Sequence, residues 1–288
     1  MIKTVSLWVG SLLVSAFPYH TNDPVRMDIA QHMRKMIGFK NQKIATSFSE
    51  DYLRATPKKF CRMLLNDFRH ELMIELASGG ITLEALDAMH AMHKQKILQE
   101  DNKRRLSPTE KAGHPRIKKV VHELSDQLKI EHPIRVINFH GDSCIGSARI
   151  NELFFDEEWW ENEFDKNQDV LRFTVGHELS HIRYEDIACE EALNALHKKI
   201  ANKRVARRVK ESIKRMNKFT EVQADINSAL ASKRALKGYE RWTAQDIAGC
   251  GDTGGLHPLM SQRLQLAGLL GQLNNLYQPQ SRKKRRLQ

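Results

Sequence analysis

An H-E-x-x-H pattern inside an apolar helical run is the feature that most constrains this chain. It lies in the segment from Phe173 to His181. At 3.6 residues per turn, His177 and His181 lie on one helix face, where two imidazoles can bind one Zn²⁺. Glu178 is rotated slightly off that face, where its carboxylate can take a proton from a water molecule that the metal activates. The pattern predicts a metal-binding helix and indicates a zinc hydrolase, in the first place a peptidase.

The surroundings of the pattern fit a helix that is buried on the sides away from the metal. A rigid platform for metal ligands needs apolar side chains there. These side chains are Phe173, Val175, Leu179 and Ile182. A structural helix with incidental histidines is the alternative, because 13 His in 288 residues leave room for a chance match.

A catalytic zinc takes three protein ligands and leaves a fourth position open. The candidate for the third ligand is Glu221, which opens a second helical segment 40 residues after His181 (221 − 181). On the same face, Ala224 permits close helix packing, and Asp225 can accept the free N–H of a ligating histidine. The alternative is a solvated helix face that carries two acids.

A glycine-rich turn ends in another histidine. The segment 253–258 contains Gly254 and Gly255, ends with His257-Pro258 and leads into a predicted helix that contains Arg263. A mobile histidine there can reach the zinc or the substrate carbonyl. The alternative is that His257 is only part of the turn.

Three ordered motifs now resemble a known family. In order and residue type they are similar to motifs of the HtpX and CAAX-prenyl endopeptidase family of gluzincin metalloproteases. The three motifs are H-E-L-S-H, then E-V-Q-A-D, then L-H-P with an arginine five residues after the proline. The resemblance covers roughly residues 115–277. It implies a zincin-type fold with one Zn²⁺ per chain. It also implies these roles: His177, His181 and Glu221 as zinc ligands, Glu178 as general base, Asp225 as support for a ligand, and His257 with Arg263 as catalytic, site-organising residues.

The pattern of predicted elements indicates an α+β chain that is mostly helical and has a small β-sheet. The helical part begins with a helix that stops at Gly38, then one opened by Thr56-Pro57 and one opened by Thr82. We expect a helical N-terminal region over 18–110 and a zinc metallopeptidase domain over 111–278, because the segment between Asp101 and Pro115 is polar and rich in turn residues.

A β-hairpin is predicted just before the zinc helix, with Gly146–Ile150 and Leu153–Phe155 on either side of its turn. In gluzincins, the family that the motifs resemble, a strand at the edge of the cleft pairs with the extended substrate. By that resemblance Gly146, Ser147 and Ala148 are the candidate substrate-binding residues. The alternative is a strand with no role beyond the sheet.

The two ends of the chain carry their own signals. Residues 1–17 contain Lys3 and an apolar run that favours an export signal, with a buried first helix or a membrane anchor as alternatives. No stretch reaches the roughly eighteen apolar residues of a spanning helix. Export or a peripheral membrane location is therefore favoured over the cytoplasm. Residues 279–288 form a basic tail that we expect to be disordered.

The net charge of +11 is concentrated in the segment 198–218 and in the tail. Such segments attract phosphates, so an anionic membrane surface is a candidate partner besides the protein or peptide substrate. Nucleic acid is less favoured, because no aromatic residue interrupts either segment to stack on bases. A solvated helix face and tail is the alternative.

The sequence is compatible with three functions. The leading one is a zinc endopeptidase in which His257 or Arg263 helps to hold the oxyanion. The second is a DNA-associated SprT-like zinc protease, a family that usually takes a histidine as third ligand; the nearest downstream histidine is His197. The third is a non-catalytic zinc-containing binding protein, in which Glu178 is dispensable.

Overall fold

The structure is a computed structural model that describes residues 23–39, 48–140, 146–250 and 257–277. Segment 1–17, Gly254 and Gly255, and tail 279–288, on which predictions rest, lie outside the described residues. The helices are α1 (Pro24–Ile37), α2 (Glu50–Arg54), α3 (Pro57–Ser78), α4 (Leu83–Lys103), α5 (Pro115–Leu128), α6 (Glu157–Lys166), α7 (Gln168–Tyr184), α8 (Asp186–Lys198), α9 (Lys203–Ala229), α10 (Lys233–Cys250) and α11 (Met260–Leu276). The strands are β1 (Glu110–Ala112), β2 (Arg135–Phe139), β3 (Gly146–Ala148) and β4 (Glu152–Asp156). The prediction of a mostly helical α+β chain is confirmed.

The predicted ends of the first helices follow local chemistry. Helix α1 ends at Gly38, whose φ of +88° is the left-handed conformation that glycine adopts without strain. The Thr56 hydroxyl caps α3 by accepting the Lys59 backbone N–H at 3.3 Å, and Pro57 occupies the first turn. Thr82 caps α4 in the same way. These boundaries are confirmed.

The sheet has the strand order β1-β2-β4-β3. Strands β2 and β4 are parallel, whereas β1 pairs with β2 and β3 pairs with β4 in antiparallel fashion. The β3–β4 pair, with Ser147 opposite Phe154, confirms the predicted hairpin. Strand β3 is at one end of this order, so it leaves a free edge among the described strands.

Helix α7 lies in the centre of the molecule, between two apolar clusters. On one face, residues at helical spacing pack with α5 and the sheet; they are Leu171, Val175, Leu179 and Ile182. On the other face, Phe173 belongs to the larger cluster. A helix that is buried on nearly all sides can also be a membrane span. Among the described residues, however, no helix is long and apolar enough to cross a bilayer.

The larger cluster joins both ends of the described chain. Met33 of α1 and Leu72 of α3 lie in it together with Phe219 of α9 and Leu270 of α11, and all four side chains are buried. The regions predicted as 18–110 and 111–278 therefore share one core. The N-terminal helices help to hold α9 in place beside α7.

Two glycines bring neighbouring helices close to α7. A Cβ on Gly176 would lie 2.5 Å from the hydroxyl oxygen of Ser228 on α9, and that hydroxyl donates to the Phe173 carbonyl at 2.6 Å. A Cβ on Gly238 of α10 would lie 1.9 Å from the Asp169 carbonyl oxygen. Any larger residue would push the helices apart, so these contacts fix α9 and α10 against the helix that carries the histidines.

Candidate metal centre

Three side chains from α7 and α9 converge at one point. His177 and His181, one turn apart on α7, bring their Nε2 atoms to 3.1 Å from each other. Glu221 of α9 places its carboxylate oxygens 3.4 Å from the Nε2 of His177 and 3.5 Å from that of His181. These three residues form the group within the described chain that could hold a metal ion.

The spacing of these atoms suits a small tetrahedral ion. Ligand atoms at 2.0–2.1 Å from a tetrahedral centre lie about 3.3–3.4 Å from one another. The two Nε2 atoms are 3.1 Å apart, and His177 and His181 lie 3.4 and 3.5 Å from different oxygens of the Glu221 carboxylate, so each separation is near that value. One ligand atom from each of the three residues lies within 4.8 Å of the others. Two imidazoles and one carboxylate are also a donor set that binds transition metals well. The predicted ligands are thus brought together as a set.

The charges of the three residues are coupled. Burial alone lowers the pKa of His177, but hydrogen bonds to Asp225 and Glu221 outweigh it and raise that pKa to about 10. Burial works in the opposite direction on Glu221, yet hydrogen bonds to His177 and His257 hold its pKa well below the usual value. The carboxylate is therefore ionised and draws positive charge to this point.

Asp225 holds His177 in place, as the sequence predicted. Its carboxylate lies 2.9 Å from Nδ1 of His177, which leaves Nε2 directed at the metal position. The Tyr239 hydroxyl and the Arg263 guanidinium donate to the same carboxylate, each at 2.8 Å. Although burial raises it, the pKa of Asp225 is lowered because Arg263 and His177 surround it.

Arg263 supports this arrangement from behind the ligands. Its side chain is buried, bonds Asp225 through two nitrogens and lies with its guanidinium 4.5 Å from the centre of the Trp242 ring. It is absent from the residues that line the cleft in the described structure. This position fits the site-organising role that the resemblance implies for Arg263, because Asp225 accepts from two of its nitrogens. A role of Arg263 in holding the oxyanion stays a prediction.

Asp186 is a site residue that the sequence analysis missed. Its carboxylate lies 2.8 Å from Nδ1 of His181 and so orients the second imidazole as Asp225 orients the first. Burial lowers the pKa of His181, but this hydrogen bond and the charge of Glu221 raise it overall. Helix α7 ends at Glu185 in a left-handed conformation, with φ of +56°, and this break turns Asp186 back towards the histidine. The sequence signal was an acid at the start of the next helix.

Glu178 faces an open cleft beside the metal ligands. The cleft has a volume of about 380 Å³. The Glu178 side chain is half-buried, and no other described residue forms an ion pair or a hydrogen bond with its carboxylate. A carboxylate in this position is free to exchange a proton with a molecule that enters the cleft.

The opposite wall of the cleft is formed by the edge strand. Ser147 and Ala148 line it, and Gly146 precedes them in β3. Since β3 has a partner on one side only among the described strands, its other edge offers backbone N–H and C=O groups to an extended chain. The predicted substrate-binding residues are therefore placed at the cleft, and their role stays a prediction.

His257 reaches the metal site from solvent. Its Nδ1 lies 3.1 Å from Glu221, while 58% of the side chain is exposed. The hydrogen bond to Glu221 raises the pKa of His257, so its imidazole keeps a proton to a higher pH than a histidine without that contact. It lies outside the His-His-Glu group but lines the same cleft.

The histidine that the alternative ligand set requires is engaged elsewhere. The ring of His197, at the end of α8, is hydrogen-bonded to the Ala206 carbonyl at 3.0 Å. Much of the basic segment 198–218 belongs to α9, the helix that carries Glu221, with exposed cations on its first turns. The predicted third ligand and these cations thus share one helix.

Comparison with known proteins gives no relative. No family model, no curated protein and no solved structure matches the chain. The site's geometry is therefore the basis for any functional conclusion.

Proposed function

We propose that this protein is a zinc-dependent endopeptidase of the gluzincin type, with a zincin-like fold around α7. The observation that carries the proposal is the convergence of His177, His181 and Glu221 beside the free carboxylate of Glu178 in an open cleft. Three protein ligands and a route for water are what a catalytic zinc site needs, whereas structural sites are closed by four ligands. Zn²⁺ bound there would act as a Lewis acid on the scissile carbonyl and on water.

The other catalytic and supporting roles fall to side chains of the protein. Glu178 takes the proton from the attacking water and returns it to the leaving nitrogen. His257, with its raised pKa, donates to the oxyanion that develops on the substrate carbonyl. Asp225 and Asp186 keep the two ligating imidazoles in one tautomer and orientation.

The substrate is a protein or peptide bound in extended form. The free edge of β3 borders the cleft at Ser147 and Ala148, so a peptide can add to the sheet there and present its backbone to Glu178. An anionic membrane surface is part of the proposal as a further partner, supported by the exposed cations at the start of α9. Nucleic acid is less favoured, for lack of aromatic residues among those cations.

Substitution of each candidate third ligand distinguishes this proposal from the SprT-like alternative. Glu221→Ala should lose most of its zinc under mild chelation, whereas His197→Ala should keep it, because Glu221 contacts both histidines and His197 is bonded to the Ala206 carbonyl instead. Zinc content is measured by atomic absorption after dialysis against a weak chelator. The reverse result, with zinc lost only from His197→Ala, would assign the third ligand to His197 and reject the gluzincin proposal.

A further inference from the structure

The cleft continues from the metal ligands into a groove between α8 and α9. Helix α8 starts at Asp186, beside His181, and α9 arrives at Glu221. Asn217 lies one turn before Glu221, and Glu190 lies one turn after Asp186, about 6 Å along each helix at 1.5 Å per residue. Asn217 donates to Glu190 at 3.2 Å across the groove. The groove therefore begins at the metal and reaches Glu190 within the span of one or two substrate residues.

The floor of this groove is apolar. Leu193 and Met216 are buried, Ile187 and Cys189 are half-buried, and all four line the cleft. Such a floor accepts the methylene groups of a long side chain.

Glu190 differs from the other acids of α8. Asp186 is bound to His181, and Glu191 is bound to His93 at 2.8 Å. The exposed carboxylate of Glu190 has the neutral amide of Asn217 as its partner, and no cationic group of the described residues pairs with it. A negative charge without a counter-charge therefore stands at the rim of an apolar groove.

We propose that this groove is a specificity subsite that takes a lysine or arginine side chain next to the scissile bond. The proposal rests on the proposed peptidase function. The aliphatic stem of the side chain lies on Leu193 and Met216, and its charged end meets Glu190. The described lining residues include no lysine or arginine that would compete for Glu190. An acidic side chain would be repelled, and a purely apolar one would leave the charge of Glu190 without a partner.

Matched peptides test this assignment. In quenched fluorogenic peptides, the residue on either side of the cleaved bond is lysine, norleucine or glutamate, and mass spectrometry of the products locates the bond. Norleucine keeps most of the lysine stem and lacks the charge. The wild type should cleave the lysine peptide with a kcat/KM about 10- to 100-fold above that for norleucine, as expected for a hydrogen bond to a charged group. Glutamate should be cleaved least.

Variants at neighbouring positions identify the residue responsible. Glu190→Gln should remove most of the lysine preference, because the contact between two charged groups is lost. Glu191→Gln is the matched control: it follows on the same helix, binds His93 and does not line the cleft, so the preference should remain. Equal preference in wild type and Glu190→Gln would overturn the subsite.

Binding measurements separate this inference from the peptidase proposal. The same labelled peptides are titrated into zinc-loaded Glu178→Gln by fluorescence anisotropy, with and without Glu190→Gln. A lysine preference in binding that needs Glu190, together with a zinc-loaded wild type that cleaves no peptide, would support the subsite and reject the peptidase. Cleavage of all peptides at equal rates, without a binding preference, would reject the subsite and leave the peptidase intact.

Discussion

The buried pair of Asp225 and Arg263 gives the sharpest prediction about how the site is built. Both side chains are almost inaccessible, at 0% and 3% exposed, and two nitrogens of the guanidinium contact the carboxylate. Removal of Asp225 leaves Arg263 buried without its counter-charge, and removal of Arg263 leaves Asp225 with His177 as its remaining cation among the described residues. Breaking a buried ion pair typically costs about 3–5 kcal/mol in the free energy of unfolding. We therefore expect Asp225→Asn and Arg263→Met each to destabilise the fold by an amount in that range.

The double variant should be more stable than the sum of the single effects predicts. With both charges removed, no isolated charge remains, so the coupling energy in a double-mutant cycle should be at least about 2 kcal/mol. The assay is urea unfolding followed by circular dichroism, with a chelator present so that metal binding does not contribute. Single effects that are additive, or smaller than about 0.5 kcal/mol, would refute the pair as a structural element.

The same variants should also differ in their affinity for zinc, in a different order from their stability. Asp225 contacts His177 directly, so Asp225→Asn should weaken zinc binding by roughly 10- to 100-fold, alone or combined with Arg263→Met. Arg263→Met alone leaves this contact in place and should change the affinity less. Equal losses in both single variants would show that the metal site responds to general destabilisation.

Two further predictions concern charge near the cleft. In the folded protein the pKa of His177 is raised from about 6.5 to about 10. With the metal removed by a chelator, the contribution of His177 to the free energy of unfolding should therefore be complete below pH 6.5 and should be lost as the pH rises towards 10. Thermal unfolding with chelator at several pH values checks this, and a flat profile would contradict it. His257→Ala should lower kcat by roughly 10- to 100-fold and retain zinc, a smaller loss than for a buried oxyanion donor because the side chain is 58% exposed. A higher rate in the variant would indicate instead that His257 blocks the metal position.

Local chemistry made much of the fold predictable. The stripe of Phe60, Leu64, Phe68 and Leu72 follows the helical period, and all four are buried in the core as α3 requires. The hairpin that precedes α7 could be predicted from the sequence because its two strands flank a turn. The convergence of His177, His181 and Glu221 was predictable because the histidines are one turn apart and Glu221 belongs to an ordered series of motifs.

Contacts that join distant elements were not predictable. Tyr239 reaches Asp225 only because Gly238 lets α10 approach α7, and no local pattern encodes that distance. Asp186 depends on the backbone break at Glu185. The contact between Arg263 and Asp225 was not foreseen, because the two residues lie 38 positions apart in sequence. Tertiary packing decides which of several plausible partners a polar side chain meets.

The role of Glu178 as the general base of a zinc peptidase can be tested with one substitution. Glu178→Gln keeps the shape of the side chain and leaves His177, His181 and Glu221 untouched. Zinc content and the hydrolysis of casein are measured on the same samples of wild type and variant. We expect equal zinc content and a rate at least about a hundredfold lower in the variant, the lower end of what a general base contributes. A variant that binds zinc and hydrolyses casein within a few-fold of the wild-type rate would contradict it.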